Sequence, residues 1–281
     1  MFQEEFFLYG DNGSGFGITT LPACGDSTVL SDAPIVVLLN AGLLHRSEPY
    51  RLNTLAARRI AGLGYISIRI DLAGKGDSKS RDRCTNRESV AIDWTNIKRA
   101  IESKFGPRVI IIMGLCSGAD NAIKLSVKDQ DIRGMILLDP ISIHDKNFEK
   151  RKILQKLSKL NTWLTIPSKL FNKIRPQKTN LELPLMLRDI PTVEELIGSM
   201  RAMVERKGRA LAIFTSSAAT EYNAEGQLAW ALEIPQLDQH CEEVFWPGAT
   251  HLYSVQFYRD RLINKIETWC SENKKYFMMK E

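Results

Sequence analysis

Four short apolar runs recur through the first half of the chain: IVVLL (35–39), YISIRID (65–71), RVIIIMG (108–114) and GMILLD (134–139). Between them lie segments with helical spacing. NTLAARRIAGLG (53–64) reads as a helix ended by Gly64, ESVAIDWTNIKRAIESKF (88–105) places Val90, Trp94, Ile97 and Ile101 on one face, and AIKLSV (122–127) reads as the body of a third helix. Continuous apolar strands alternating with helices predict a mostly parallel central sheet with helices on both faces. A β-hairpin precedes this core, with EEFFLYG and GFGITTLP flanking the turn residues DNGSG. After Pro140 the alternation stops for about seventy residues. It resumes with the strands ALAIFTSS (210–217) and EEVFWPG (242–248) and a closing helix over 256–273. The sequence therefore predicts an α/β core over 1–140 and 208–281, interrupted by a helical lid over 141–207.

A chain of 281 residues with 44% hydrophobic content can bury a sizeable core. MFQEEFFLYG lacks the basic and apolar regions of a secretory signal, and runs such as IVVLL are too short to cross a bilayer. The five cysteines (24, 84, 116, 241 and 270) form no CxxC pair. That argues against a disulfide framework or a zinc site, so the expectation is a protein of the reducing cytoplasm with no metal and no cofactor.

GLCSGAD (114–120) lies at a strand-to-helix junction and carries the frame G-x-C-x-G, with Gly114 and Gly118 flanking Cys116. Glycines at both flanks permit a turn tight enough to push the central residue out above the next helix's N-terminus, whose dipole favours an anion there. The N–H of Ser117 would then face a developing oxyanion. LLNAGLLHR (38–46) follows an earlier strand and supplies a small-residue turn, from which Gly42 or Leu43 can donate a second oxyanion N–H. His45 and Arg46 come next, and His45 reads equally as a loop histidine or as a wall of the site. IDLAGKGDS (70–78) gives Asp71, Gly74, Gly76 and Ser78 in a D-x-x-G-x-G-x-S pattern at a strand's carboxyl end. WPGATHLYS (246–254) puts His251 in the loop after the last strand, and the other histidines are 45, 144 and 240.

Together NAGLLHR, RIDLAGKGDS, GLCSGAD and YNAEGQ resemble the α/β-hydrolase superfamily. More narrowly they look like a bacterial subfamily of serine-aminopeptidase-like hydrolases, some of which accompany exosortase and exopolysaccharide loci. The resemblance runs from the hairpin to the last helix. It implies Cys116 as nucleophile, His251 as general base, and the amides of Ser117 and the Gly42 turn as oxyanion hole. Two departures stand out. Cysteine replaces the usual serine, and no Asp occupies TSSAATEYNAEGQ after the penultimate strand, where the third member of the triad is expected. Glu221 is the carboxylate chosen for that place. Glu225 is next to it in sequence, Asp238 is more remote, and Asp139 at the end of GMILLD is the alternative acid.

Sulfur points to acyl transfer through a thioester. An acyl-cysteine exchanges with other thioesters and reacts with amines and thiols as well as water. The leading expectation is an acyl hydrolase or acyltransferase acting on thioester or ester substrates. The alternative is a non-catalytic α/β-hydrolase scaffold that binds an acyl ligand or a protein partner. Peptidase activity is implied only by the subfamily, and no free-amine site is legible. Residues 146–188 hold eleven Lys or Arg against two acidic residues. Ile153, Leu154, Leu157, Leu160 and Leu164 share one helical face, with Lys152, Lys156 and Lys159 beside them. A solvated lid face, a docking surface for an acidic acyl carrier protein and an anionic membrane surface are the readings left open. Leu181, Leu183, Leu185, Met186 and Leu187 would suit an acyl pocket or pack the lid down. No nucleic-acid motif accompanies the charge.

Overall fold

A computed structural model describes residues 2–22, 32–164 and 188–278, the side chains of 158–164 excepted. Eight strands form one sheet: β1 (Gln3–Tyr9), β2 (Gly15–Leu21), β3 (Ile35–Leu38), β4 (Ile66–Asp71), β5 (Ile110–Leu115), β6 (Ile132–Leu138), β7 (Arg209–Thr215) and β8 (Cys241–Trp246). Their order is β1-β2-β4-β3-β5-β6-β7-β8. β1 pairs antiparallel with β2, and β2 with β4; all other pairings are parallel. The hairpin register sets Phe6 opposite Ile18 and Tyr9 opposite Gly15.

The continuous apolar runs are explained by burial on both faces of the sheet. In β3, Ile35 and Val37 join one core while Val36 and Leu38 join the other. In β5, Ile110 and Ile112 alternate in the same way with Ile111 and Met113. One face is covered by helices α2 (Asn86–Phe105) and α3 (Ser117–Lys128), which contribute Trp94, Ile97 and Ile123. The other is covered by α1 (Leu52–Gly62) and the closing helix, Gln256–Met278, with Ala56, Ile60, Ile263 and Trp269. α2 starts at a capping box in which Thr85 accepts from Glu88 N–H and Glu88 accepts from Thr85 N–H. It stops at Gly106, whose φ of 76° no β-carbon-bearing residue adopts comfortably.

The stretch expected to be a lid divides in two. Helix α4 (Phe148–Leu164) leaves the sheet after β6. Helix α5 (Val193–Glu205) does not behave as a lid. It is capped by the Thr192–Glu195 box, and its residues Leu196, Met200 and Met203 are fully buried in the same core as Ile123. Their i, i+4, i+7 spacing is the amphipathic signal for a core helix, so the core resumes near 192 and not at 208. The leucines and Met186 of 181–187 lie outside the described residues, as do the side chains of Leu160 and Leu164. Helices α6 (Gln227–Leu232), α7 (Leu237–His240) and α8 (Gln256–Met278) complete the order. Among the described residues no helix is long and apolar enough to cross a membrane.

The turn from β5 into α3 is the tightest packing near the site. A β-carbon on Gly114 would fall on the backbone of Gly118, four residues ahead. Gly118 in turn lies 3.3 Å, by its own would-be β-carbon, from the Asn40 carbonyl. Gly114→Ala therefore has only backbone to push against. Its thermal midpoint should fall by several degrees, the result of overpacking worth about 1–3 kcal/mol. A midpoint within about a degree of wild type in a calorimetric scan would show that the turn has room to spare.

Candidate active site at the carboxyl edge of the sheet

Parallel strands deliver their carboxyl ends to one edge, where α/β proteins build their sites. Cys116 stands there between β5 and α3 with φ 54° and ψ −119°, outside the comfortable regions for a residue with a β-carbon. The surrounding bonds hold it. Its N–H donates to the Leu138 carbonyl at 2.8 Å, and its carbonyl accepts from Asp120 N–H at 3.0 Å. The side chain is half-buried at the N-terminus of α3.

His251 comes from the loop after β8. Its Nδ1 lies 2.7 Å from Oδ2 of Asp139, the residue that follows β6. Asp139 is 4% exposed and is fixed from β7 as well: Thr215 N–H donates to Oδ1 and Thr215 Oγ1 donates to Oδ2, each at 2.6 Å. The Cys116 side chain is near enough to act on the His251 imidazole as well. Burial opposes a charge on the imidazole. The hydrogen bonds and charges of Asp139 and Cys116 outweigh it, and His251 is raised from 6.5 to about 10. Cys116, His251 and Asp139 thus form a continuous line.

Glu221, chosen as the acid from the sequence, is not part of that line. Its carboxylate lies 3.0 Å from Nε2 of His144, and its side chain is 58% exposed. Glu225 accepts from Phe245 N–H at 2.9 Å. The reason is the neighbouring segment YNAEGQ, which braces the foot of α4. Tyr222 stacks on Phe214 at 3.6 Å between ring centroids and donates to Glu243 at 2.8 Å. Asn223 Nδ2 donates to the Phe148 carbonyl, Arg151 Nε donates to Asn223 Oδ1, and Gln227 Nε2 donates to the carbonyls of Glu221 and Ile143. The loop after β7 is thereby committed to α4, and the carboxylate beside His251 comes from the end of β6. Asp139 is the alternative that the sequence offered.

The turn after β3 approaches Cys116 as expected. Gly42 has φ 49°, and its N–H donates to Ser117 Oγ at 2.6 Å. The Leu43 side chain is 72% exposed. His45 and Arg46 serve structure more than a pocket wall. Arg46 donates through its backbone N–H and Nη1 to Asp71, and through Nη1 to Asp77 at 2.6 Å. His45 Nδ1 lies 3.0 Å from Ser47 Oγ. The D-x-x-G-x-G-x-S turn closes on itself. Ser78 Oγ donates to the Asp71 carbonyl at 2.6 Å, and a β-carbon on Gly76 would strike the Asp71 carboxylate. Ligand atoms of His45, Asp71 and Asp77 lie within 4.8 Å of one another, and the Arg46 guanidinium already pairs with both carboxylates as a salt-bridged brace.

Two residues went unnoticed in the sequence. Glu48, in the turn SEPY, has φ 60° and ψ 170°, a region essentially reserved for glycine. Its carboxyl is buried against the turn after β3, where Oε1 accepts from Ala41 N–H at 2.5 Å and Oε2 has no hydrogen bond. Burial pushes it up to about 8, so it carries a proton at neutral pH. Arg188 pairs with both oxygens of fully buried Asp120 and has Nη2 3.4 Å from the Asp139 carbonyl. Neither residue belongs to a local pattern, and both are placed by long-range contacts.

Because Asp139 and Cys116 hold the proton on His251, removing either should release it. In Asp139→Asn or Cys116→Ala, the imidazole titration followed by NMR should move from about 10 toward 6.5. The stability that this proton linkage supplies is present in full below pH 6.5 and is lost as pH rises through about 10. An unmoved titration in both variants would show that neither group holds the proton.

No protein-family model matches this chain, and no curated protein matches it. Solved structures do match. An esterase of Pyrococcus furiosus superposes with a TM-score of 0.59 at 14% identity, covering 99% of this chain and 92% of that one. A highly thermostable carboxyl esterase of Bacillus coagulans gives 0.59 at 13% identity, with 99% of each chain covered. A thioesterase domain from the curacin biosynthetic pathway gives 0.53 at 16% identity, covering 95% of this chain and 99% of that one. The fold of this protein is that of the α/β hydrolases.

Proposed function

We propose that the protein transfers acyl groups from esters or thioesters through an acyl-cysteine at Cys116, releasing them to water or to an amine, alcohol or thiol acceptor. The observation that carries this reading is the Cys116–His251–Asp139 line. The nucleophilic form of a cysteine is its thiolate, and His251, the proton donor and acceptor of the reaction, holds a proton up to about pH 10. Sγ attacks the acyl carbon and the carbonyl π electrons move to oxygen. The tetrahedral species then collapses, the bond to the leaving group breaks, and His251 gives that group its proton. His251, now neutral, takes a proton from the acceptor as it attacks the thioester and returns Cys116 to its starting state. Asp139 keeps the imidazole in one orientation throughout, as the third member of a triad does. The esterase and thioesterase neighbours agree with this reaction class. Delivery of the acyl group by an acidic carrier protein docking on α4, where Lys152 and Lys156 accompany exposed Ile153, Leu154 and Leu157, extends the same proposal.

Intact-mass spectrometry after mixing with p-nitrophenyl esters and acyl-coenzyme A thioesters tests it. Wild type should gain one acyl mass that maps to Cys116, and Cys116→Ala should gain none. His251→Ala should slow acylation at least ~100-fold, whereas Glu221→Gln should stay within about twofold of wild type. No adduct and no thiol release across the panel would leave the scaffold reading in its place.

A further inference from the structure

One contact joins the two halves of the oxyanion site and changes how the site would work. The Gly42 amide, expected to face a substrate oxygen, instead donates to Ser117 Oγ at 2.6 Å. Ser117 Oγ is the acceptor in that bond, so its own proton is left over. No acceptor for it is found among the described residues. Ser117 follows Cys116 directly and opens α3, and its hydroxyl meets the Gly42 turn, which the sequence pattern set opposite Cys116.

We propose that the Ser117 hydroxyl is a catalytic residue, the second oxyanion donor of this site, held and polarised by Gly42 N–H. The proposal rests on the acyl-transfer reading above. As Sγ of Cys116 bonds the acyl carbon, the carbonyl π pair becomes a lone pair on oxygen. That oxygen accepts from Ser117 N–H and Ser117 Oγ–H, and both bonds weaken again when the pair returns and the leaving group departs. No proton leaves Ser117 at any stage. A donor that is itself an acceptor in a second hydrogen bond is strengthened by it.

The turn that carries Gly42 is built to hold this arrangement. A β-carbon at Gly42 would meet nothing within 4 Å, so glycine is there for its φ of 49° and not for space. On one side of Gly42, Glu48 Oε1 fixes the Ala41 N–H at 2.5 Å. Asn40 ties the same turn to the next one, accepting from Leu72 N–H at 3.3 Å and donating to the Leu44 carbonyl at 2.7 Å. A hydroxyl whose only task was to fill space would need none of this bracing. The competing arrangement has Ser117 as a plug that swings away and leaves the Gly42 amide to bind the oxygen.

Two reactions of the same sulfur separate these arrangements. Acylation by p-nitrophenyl acetate builds an oxyanion. Alkylation by iodoacetamide displaces iodide at a saturated carbon and builds none. Both are followed on the whole protein, with peptide mapping to distinguish Cys116 from half-buried Cys84. Ser117→Ala should slow Cys116 acylation ~100-fold while alkylation stays within about twofold of wild type, and Ser117→Thr, which keeps the hydroxyl, should recover most of the loss. Acylation of Ser117→Ala as fast as wild type, or faster, would overturn the proposal and make Ser117 a bystander or a plug. A parallel fall in acylation and alkylation would also overturn it, by showing that the side chain supports the thiol. Wild type that alkylates at Cys116 but is acylated by no ester would instead sink the acyl-transfer reading itself, and the donor role with it.

Discussion

The buried carboxylate of Asp139 is the fixed point of the site. It lies after β6, between the strand that delivers Cys116 and the strand that ends in Thr215, and it takes hydrogen bonds from Thr215 N–H, Thr215 Oγ1 and His251 Nδ1. A carboxylate removed from water is costly unless its lone pairs are occupied. Here those partners come from β7 and from the loop after β8. The same bonds that make the charge tolerable therefore fix the distance between elements far apart in sequence. His251 inherits its place and its raised proton affinity from that anchor, and Cys116 completes the line.

Strain collects around this anchor. Cys116, Asp139 and Glu48 all have positive φ, and none is glycine. Such positions cost of order 1–3 kcal/mol each and persist only where neighbours over-determine them. The neighbours are visible. Cys116 N–H is taken by β6, Asp139 N–H by β7, and the Glu48 side chain by Ala41 N–H. Preorganisation of this sort is what lets fixed dipoles act on a developing charge without rearranging during the reaction.

The loop after β7 shows how a local pattern can serve a different purpose from the one it suggests. EYNAEGQ follows β7, where the sequence pointed to an acid, and offers the carboxylates of Glu221 and Glu225. Its side chains instead tie Phe148 and Arg151 of α4 to the sheet edge. The carboxylate beside His251 comes from one strand earlier, so bracing α4 and holding His251 do not compete for the same loop. His144 stacks on Phe148 at 3.7 Å and faces Glu221, which adds to that foot.

The sequence by itself determined the sheet, the site's edge and the sulfur. Buried strands need unbroken apolar runs, and a turn as tight as the one after β5 needs glycine at 114 and 118, so both left marks that can be read residue by residue. His251 was legible because few histidines compete with it and its loop follows the last strand. Only the tertiary structure decided which carboxylate meets His251 and that Ser117 Oγ occupies the Gly42 amide. These depend on pairs separated by 112 and 75 positions for His251–Asp139 and Gly42–Ser117. Two loops with suitable carboxylates look alike in sequence. Strand order, a product of the whole core's packing, places only one of them within hydrogen-bonding reach.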